Sequence, residues 1–288
     1  MTLESGALYV VATPIGNLED ISARALRLLG EVRLIAAEDT RQTRKLLTHF
    51  NLHTPLTSYF EHNKLAKLGQ VLQALAQGQV ALVSDAGTPG VNDPGYELVR
   101  AALEAGHTVV PIPGPSAPMA ALSASGLPSE AFLYLGYLPR KSSARREALE
   151  KVASLPYTLI FLEAPHRILP ALDDLLRCLG DRKTAVAREL TKLHEEIWRG
   201  KLSEAAAYFR QHEPRGEFTL VVAGAPTEQG EAWAEARVRQ AVLAGLKAGG
   251  SPAEVARGVA KESGWERRQV YRLVTGQDAK GSKKFKNT

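Results

Sequence analysis

The stretch Leu8-Tyr-Val-Val-Ala-Thr-Pro-Ile-Gly-Asn17 sets a short apolar run directly against a loop of Pro, Gly and small polar residues. An apolar run of this length bounded by turn residues predicts a buried strand, here over Leu8–Ala12. The pattern returns at Arg33–Ala37, Val80–Ser84 and Thr108–Ile112. Between these runs Ile21–Gly30, Asn63–Gln77 and Pro94–Gly106 carry apolar residues at helical spacing, and Gly78 and Gly106 supply left-handed stops. Alternation of this kind predicts an α/β fold with an open parallel sheet covered on both faces. Ligands of such sheets bind beyond the carboxyl ends of the strands, so the loops there carry the functional expectation.

Past Gly126 the pattern continues with a different grain. Strands are predicted over Phe132–Tyr137, Tyr157–Leu162, Thr184–Arg188, Glu195–Trp198 and Phe218–Ala223, and helices over Ser142–Ala153, Pro165–Leu179 and Leu202–His212. Strands crowded between Thr184 and Ala223 suit a mixed or antiparallel second sheet. The expected domains are residues 1–118 and 119–227, both α/β, with the boundary among the small residues near 117–130. Gly224-Ala-Pro-Thr-Glu-Gln-Gly230 reads as a linker to a helical extension, 228–288, with segments near 231–248, 252–263 and 267–275 and a disordered tail from Gly276.

A chain of 288 residues suits two domains with an appendage. One cysteine, Cys178, excludes a disulfide scaffold and a Cys-based metal cluster within the chain. No apolar run approaches the roughly 20 residues needed to span a bilayer. The N-terminus lacks the basic region of a secretory signal, so a cytoplasmic protein is expected. The net charge of +5 is local: residues 1–227 hold 24 basic and 24 acidic side chains, and residues 228–288 hold 12 and 7. A solvated tail would explain this, and so would a polyanionic partner. Within the extension, two short helices joined at Gly264, the second bearing Arg267, Arg268 and Arg272, follow the helix-turn-helix pattern.

Three loops of the first half suit close approach of backbone to a ligand: Thr13-Pro-Ile-Gly-Asn17, Asp85-Ala-Gly-Thr-Pro-Gly90 and Pro113-Gly-Pro-Ser-Ala117. None is a phosphate cradle, since G-x-G-x-x-G and G-x-x-x-x-G-K-[ST] are both missing. Ala37-Glu-Asp-Thr-Arg41 packs two acids and a base after the second strand, as a substrate or proton-transfer cluster, or as a helix start capped by Asp39 or Thr40. Glu163-Ala-Pro-His-Arg167 lies where a strand feeds a helix, which puts the Glu163 carboxylate at the mouth between the sheets; His166 reads first as a cap. His49 and His53 have helical spacing but no H-E-x-x-H, and no metal site is expected.

Together Val11-Ala-Thr-Pro-Ile-Gly-Asn-Leu-Glu-Asp-Ile21, Ala37–Arg41, Ser84-Asp-Ala-Gly-Thr-Pro-Gly90, Pro111-Ile-Pro-Gly-Pro-Ser-Ala117 and Glu163–Arg167 resemble the tetrapyrrole (corrin/porphyrin) methylase family, in its rRNA-modifying branch. The resemblance implies two α/β domains with S-adenosylmethionine in the cleft between them, and a homodimer. It implies 2′-O-methylation of a cytidine ribose in the decoding centre of 16S rRNA, within the 30S subunit or its precursor. Carried over by position, the cofactor residues are Pro14, Ile15 and Gly16; Asp85, Gly87 and Thr88; Ser116 and Ala117; and Leu162, Ala187 and Leu190. Ala86-Gly-Thr-Pro departs from the form common in the tetrapyrrole enzymes, which leaves the individual backbone contacts of that loop open. For the base that assists the ribose hydroxyl the candidates are Glu38, Asp39 and Glu163. Arg41 and Arg167 are expected to position phosphate or substrate, and Asn17 to hydrogen-bond it. Arg267, Arg268 and Arg272 are expected on RNA phosphates. The rival readings are a same-fold methyltransferase acting on a tetrapyrrole or a protein, and a non-catalytic RNA-binding assembly protein.

Overall fold

The computed structural model describes residues 6–60, 64–226 and 233–275. The tail from Gly276, and residues 227–230 of the expected linker, lie outside them. Two compact units emerge, Met1–Gly224 and Ala225–Thr288.

In the first unit five parallel strands form one sheet: β1 (Ala7–Val11), β2 (Leu34–Ala37), β3 (Leu56–Ser58), β4 (Val80–Val83) and β5 (Thr108–Ile112), in the order β3-β2-β4-β1-β5. Successive side chains of a strand face opposite sides, and the core divides accordingly. Ala81 and Val83 pack with Val11 and Ile35 on one face, against α1 (Ala23–Glu31) and α2 (Thr40–His49). Val80 and Leu82 pack with Leu8 and Ala36 on the other, against α3 (Lys64–Ala76) and α4 (Tyr96–Glu104).

The second sheet is mixed, in the order β6-β7-β10-β8-β9: β6 (Phe132–Tyr137), β7 (Thr158–Glu163), β8 (Lys183–Arg188), β9 (Glu196–Lys201) and β10 (Phe218–Val222). β6 and β7 are parallel and the other pairs antiparallel. One face buries Leu159, Phe161, Val186 and Leu220 under α6 (Ser142–Glu150), α7 (Ile168–Leu179) and α8 (Leu202–Gln211). The opposite face, with Ile160, Ala185, Ala187 and Val221, is covered by α5 (Ala117–Ser125) through Ala121 and Leu122. Helix α5 therefore crosses residue 118 and packs on the second sheet.

A buried ion cluster clamps α6 to α7. Asp174 accepts from Ser142 Oγ at 2.8 Å, Arg145 Nε at 2.8 Å and Arg146 Nε at 2.7 Å, with the Arg145 and Asp174 side chains only 4% and 8% exposed.

The second unit packs α9 (Glu235–Lys247), α10 (Pro252–Ser263) and α11 (Arg267–Thr275) around Val238, Val242, Val255, Val259 and Val270. Ser251 caps α10 with Glu254 reaching back to it, and Gly264 closes the helix in the left-handed conformation at φ +71°. Trp265 donates its indole N–H to the Trp233 carbonyl at 2.8 Å. Among the described residues no helix is long and apolar enough to cross a membrane.

Replacing Asp174 by Ala leaves two guanidinium groups facing an empty acceptor position. Urea unfolding should report a loss of about 3–5 kcal/mol, the range for breaking a buried ion pair on one side.

Candidate active site

The carboxyl ends of the first sheet's strands send out loops that are tied to one another. Thr13 N–H donates to the Gly87 carbonyl at 2.9 Å and Gly87 N–H returns the bond at 3.0 Å, an antiparallel bridge between the loops after β1 and β4. Gly87 meets it at φ +80°, a backbone conformation that glycine adopts freely. Thr13 Oγ1 adds a buried bond to the Ser84 carbonyl at 3.1 Å. The loops after β2 and β4 exchange a second pair: Asp39 N–H donates to Asp85 Oδ1 at 3.0 Å and Asp85 N–H to Glu38 Oε2 at 3.3 Å.

Loops of the second half close on this edge. Gly16 lies so near Leu190–Lys192 that an added Cβ would stand 2.5 Å from Lys192 Cγ and 2.9 Å from the Leu190 carbonyl oxygen. Asn17 N–H donates to Thr191 Oγ1 at 3.1 Å. The Glu189–Glu195 loop is held for that contact by Thr191 N–H on Glu195 Oε2 at 2.6 Å and by Lys192, paired with Glu189 at 2.8 Å and Glu217 at 3.0 Å. On the other side of the seam Asn92 (φ +65°) lies against Gly136, where β6 bulges; a Cβ at Gly136 would stand 2.0 Å from Asn92 Nδ2.

A cavity of about 100 Å³ at this seam is lined by Ile15, Gly87, Thr88, Ser116, Ala117 and Leu162 of the cofactor residues implied by the sequence, together with Asn92, Asp93, Tyr134 and Tyr137. A larger one, about 540 Å³, takes Pro14 and Asp85 in its wall with Gln42, Lys45 and Glu217. Ala187 and Leu190 lie in the buried apolar layer, with Ile15 and Ala117 packed against it.

The candidate acids differ sharply. Asp39 caps α2 through the Arg41 N–H at 2.8 Å, and its ion pair with Arg41 at 2.6 Å holds the carboxyl down at about 2. Burial raises Glu38 and Asp85 above the usual carboxylate range. Asp93 is pushed up to about 6, chiefly by burial and then by the nearby Glu38 charge. Tyr134 is pushed up to about 12, again mainly by burial.

One expectation from the sequence is corrected. Glu163 is not at a mouth: its side chain is fully buried, accepts from Ala164 N–H at 2.9 Å, and lies 3.1 Å from Arg167 Nε. It follows Leu162 at the end of β7, and because successive strand side chains face opposite sides, Leu162 lines the seam cavity while Glu163 turns to the face of Leu159 and Phe161. Asn17 Oδ1 caps the short turn that follows, accepting from Glu19 N–H at 3.1 Å. Arg167 borders a separate groove of about 480 Å³ with Tyr137 and Arg140. Arg41 points outward, 87% exposed. Arg267, Arg268 and Arg272 are exposed on α11 of the second unit, while Val270 between them is buried. No group of three or more His, Cys, Asp or Glu side chains able to hold a metal occurs among the described residues.

Sequence reading missed Asp93, Tyr134 and Tyr137. Asn92-Asp-Pro-Gly95 is turn chemistry in a sequence, and only the docking of Asn92 on β6 turns it toward a cavity. Gly136→Ala must displace the Asn92 side chain and adopt a left-handed backbone (φ +63°). The expected cost is about 1–2 kcal/mol in urea unfolding.

Residues 7–206 match the family model described as Tetrapyrrole (Corrin/Porphyrin) Methylases. The chain is 48% identical over 278 residues to the ribosomal RNA small subunit methyltransferase I of Synechocystis sp., covering 96% of this chain and all of that protein. It is 47% identical to the protein of the same name from Halalkalibacterium halodurans, covering 94% and 95% of the two chains. The uroporphyrin-III C-methyltransferase of Thermus thermophilus, solved with S-adenosylhomocysteine, shares the fold at a TM-score of 0.53 and 23% identity, over 76% of this chain and 97% of that one. By its matched length and by the two sheets that meet at these loops, the chain belongs to the tetrapyrrole (corrin/porphyrin) methylase family.

Proposed function

We propose that this chain, an S-adenosylmethionine-dependent methyltransferase of small-subunit ribosomal RNA, places its methyl group on the ribose 2′-oxygen of a cytidine in the decoding centre. The observation that carries the reading is identity near 48% along almost the whole chain to proteins named for small-subunit rRNA methylation.

The residues at the seam suit such a cofactor chemically. Ile15, Ala117, Tyr134 and Leu162 offer apolar walls, and Gly87 and Thr88 expose backbone to a polar ligand. Asp85 and Asp93 bring negative charge to a ligand with cationic ends. A cavity of about 100 Å³ takes only one end of such a molecule, and the larger one bordered by Pro14 and Asp85 offers room for the rest. Pro14, Ile15, Gly16, Asp85, Gly87 and Thr88 would hold it from the first sheet. Ser116 and Ala117 would hold it from the start of α5, and Leu162, Ala187 and Leu190 from the second sheet.

S-adenosylmethionine supplies the methyl group, activated as a sulfonium. The protein must place the 2′-oxygen in line with that methyl and exclude water, which is a matter of positioning more than of covalent catalysis. Arg41, outward at the head of α2, and Lys45 at the edge of the larger cavity suit the incoming phosphates. The α10–Gly264–α11 unit supplies further phosphate contacts through Arg267, Arg268 and Arg272, fixing register while the cleft does the chemistry. A homodimer, implied by the family, belongs to the same reading, as does work in the cytoplasm where the small subunit is assembled.

Incubating the protein with labelled S-adenosylmethionine and unmodified 30S subunits, then mapping ribose methylation, should reveal one 2′-O-methylcytidine in 16S rRNA. Methyl groups on a base, on a ribosomal protein or on an added tetrapyrrole would reject the assignment. Saturating cofactor, at about 100 times its Kd, should stabilise the protein by about 2.7 kcal/mol in thermal unfolding.

Changing Arg267, Arg268 and Arg272 together to Gln should weaken 30S binding. It should flatten the slope of log K against log salt by about 2, given about 0.7–0.9 per phosphate contact. Cofactor affinity should stay unchanged, and an unaltered salt slope would remove α11 from the RNA interface.

A further inference from the structure

The parallel strands β6 and β7 end side by side, with Tyr137 opposite Leu162, and a groove of about 480 Å³ opens there. Ligands of parallel strands bind beyond such carboxyl ends. The groove wall carries the guanidinium groups of Arg140 and Arg167, the His166 imidazole and the half-exposed ring of Tyr137. No carboxylate is among the described residues that line it. Tyr137 also lines the seam cavity, so the two spaces share one wall. Whatever fills the groove lies a single side chain away from the cofactor residues.

Both arginines stand on a fixed frame. The side chain of Glu163, fully buried, lies 3.1 Å from Arg167 Nε, and Arg167 Nη2 donates to the Leu138 carbonyl at 2.5 Å. Glu163 Oε2 has no hydrogen-bond partner among the described residues. A buried carboxylate left partly unpaired is costly, and here it serves to aim the cation beside it. The Leu138–Arg140 segment is held from its other end by Arg145 of the buried ion cluster. Arg145 Nη1 donates to the Pro139 carbonyl at 3.4 Å and to the Arg140 carbonyl at 3.3 Å. The Arg140 side chain itself is exposed. Little ordering is then left to be done when an anion arrives.

We propose that this groove holds the RNA nucleotide next to the methylated cytidine, with its phosphate on Arg140 and Arg167 and its base against Tyr137. The inference rests on the methyl-transfer reading above. A planar guanidinium grips phosphate through two parallel N–H donors, and unpaired bases stack on aromatic rings. Leu138, Pro139 and Ala164 add apolar wall beneath such a base. The strand crosses Tyr137, which delivers the neighbouring ribose to the seam. This contact is made equally before and during methyl transfer, so it supplies affinity and register and leaves the chemical step alone.

The test measures binding of the full-length protein to unmodified 30S subunits over a range of salt. Arg140→Gln removes one exposed cation, and Arg167→Gln is made together with Glu163→Gln so that no carboxylate is left without its partner. Each variant should bind roughly tenfold more weakly, the loss of one charge-assisted contact. The slope of log K against log salt should fall by about 0.7–0.9 in each. In steady-state methylation KM for the 30S subunit should rise by the same factor, with kcat and S-adenosylhomocysteine affinity within about threefold of wild type. A merely structural defect lowers Tm and kcat and leaves the salt slope in place. Should the double variant fail to fold, Arg140→Gln decides alone.

An unchanged salt slope and KM in Arg140→Gln overturn the proposal. A wild type that binds the 30S subunit with an Arg140-dependent slope but does not methylate it contradicts the proposed substrate and upholds the groove as a phosphate site. A wild type with no affinity for the 30S subunit overturns both.

Discussion

Two backbone hydrogen bonds between Thr13 and Gly87, 2.9 and 3.0 Å long, govern the rest of the molecule's functional edge. Parallel strands end in loops that have no ladder to hold them, and these loops would otherwise be free to splay. The bridge, antiparallel where β1 and β4 are parallel, joins the two loops beyond the sheet and forces them to travel together. Ile15 and Gly16 are thereby delivered to the second half, where Gly16 has no room for a side chain against Leu190 and Lys192. In the same loop after β4, Asp85 is bonded to the Glu38–Asp39 turn, and Asp93 reaches the seam through the docking of Asn92 on β6.

Stability and function pull apart across this architecture. In the second half, Asp174 is buried among Ser142, Arg145 and Arg146, every oxygen matched by donors. At the strand ends of the first sheet, Glu38, Asp85 and Asp93 are raised by burial. One arrangement fixes helices, and the other leaves carboxylates less fully paired. Exposed arginines gather on α2 of the first unit and, separately, on α11 of the second.

Much of this was legible in the chain. Strands β5 and β6 stand where the apolar runs put them, and the parallel first sheet and mixed second sheet follow from the alternation of elements. Two elements escaped. β3 is only three residues, Leu56–Ser58, too short to show a pattern. The start of α2 was legible, since Asp39 caps it as one of the two readings of the Glu-Asp-Thr-Arg cluster expected. α5 is built of Ala, Ser, Pro and Met, small residues with little periodic contrast, because it lies flat between a sheet and a cleft. Glu163 is buried because it alternates with Leu162, which faces the seam cavity, and which face of β7 is covered by α6–α8 is set by elements distant in sequence.

If the methyl donor sits among the strand-end loops that the Thr13–Gly87 bridge holds together, hydrogen–deuterium exchange with and without S-adenosylmethionine will show it. Exchange should slow in residues 13–17, 85–93 and 113–117 and at the Leu190–Lys192 contact, with α9–α11 unchanged. Protection confined to other surfaces, with these loops exchanging as before, would contradict it.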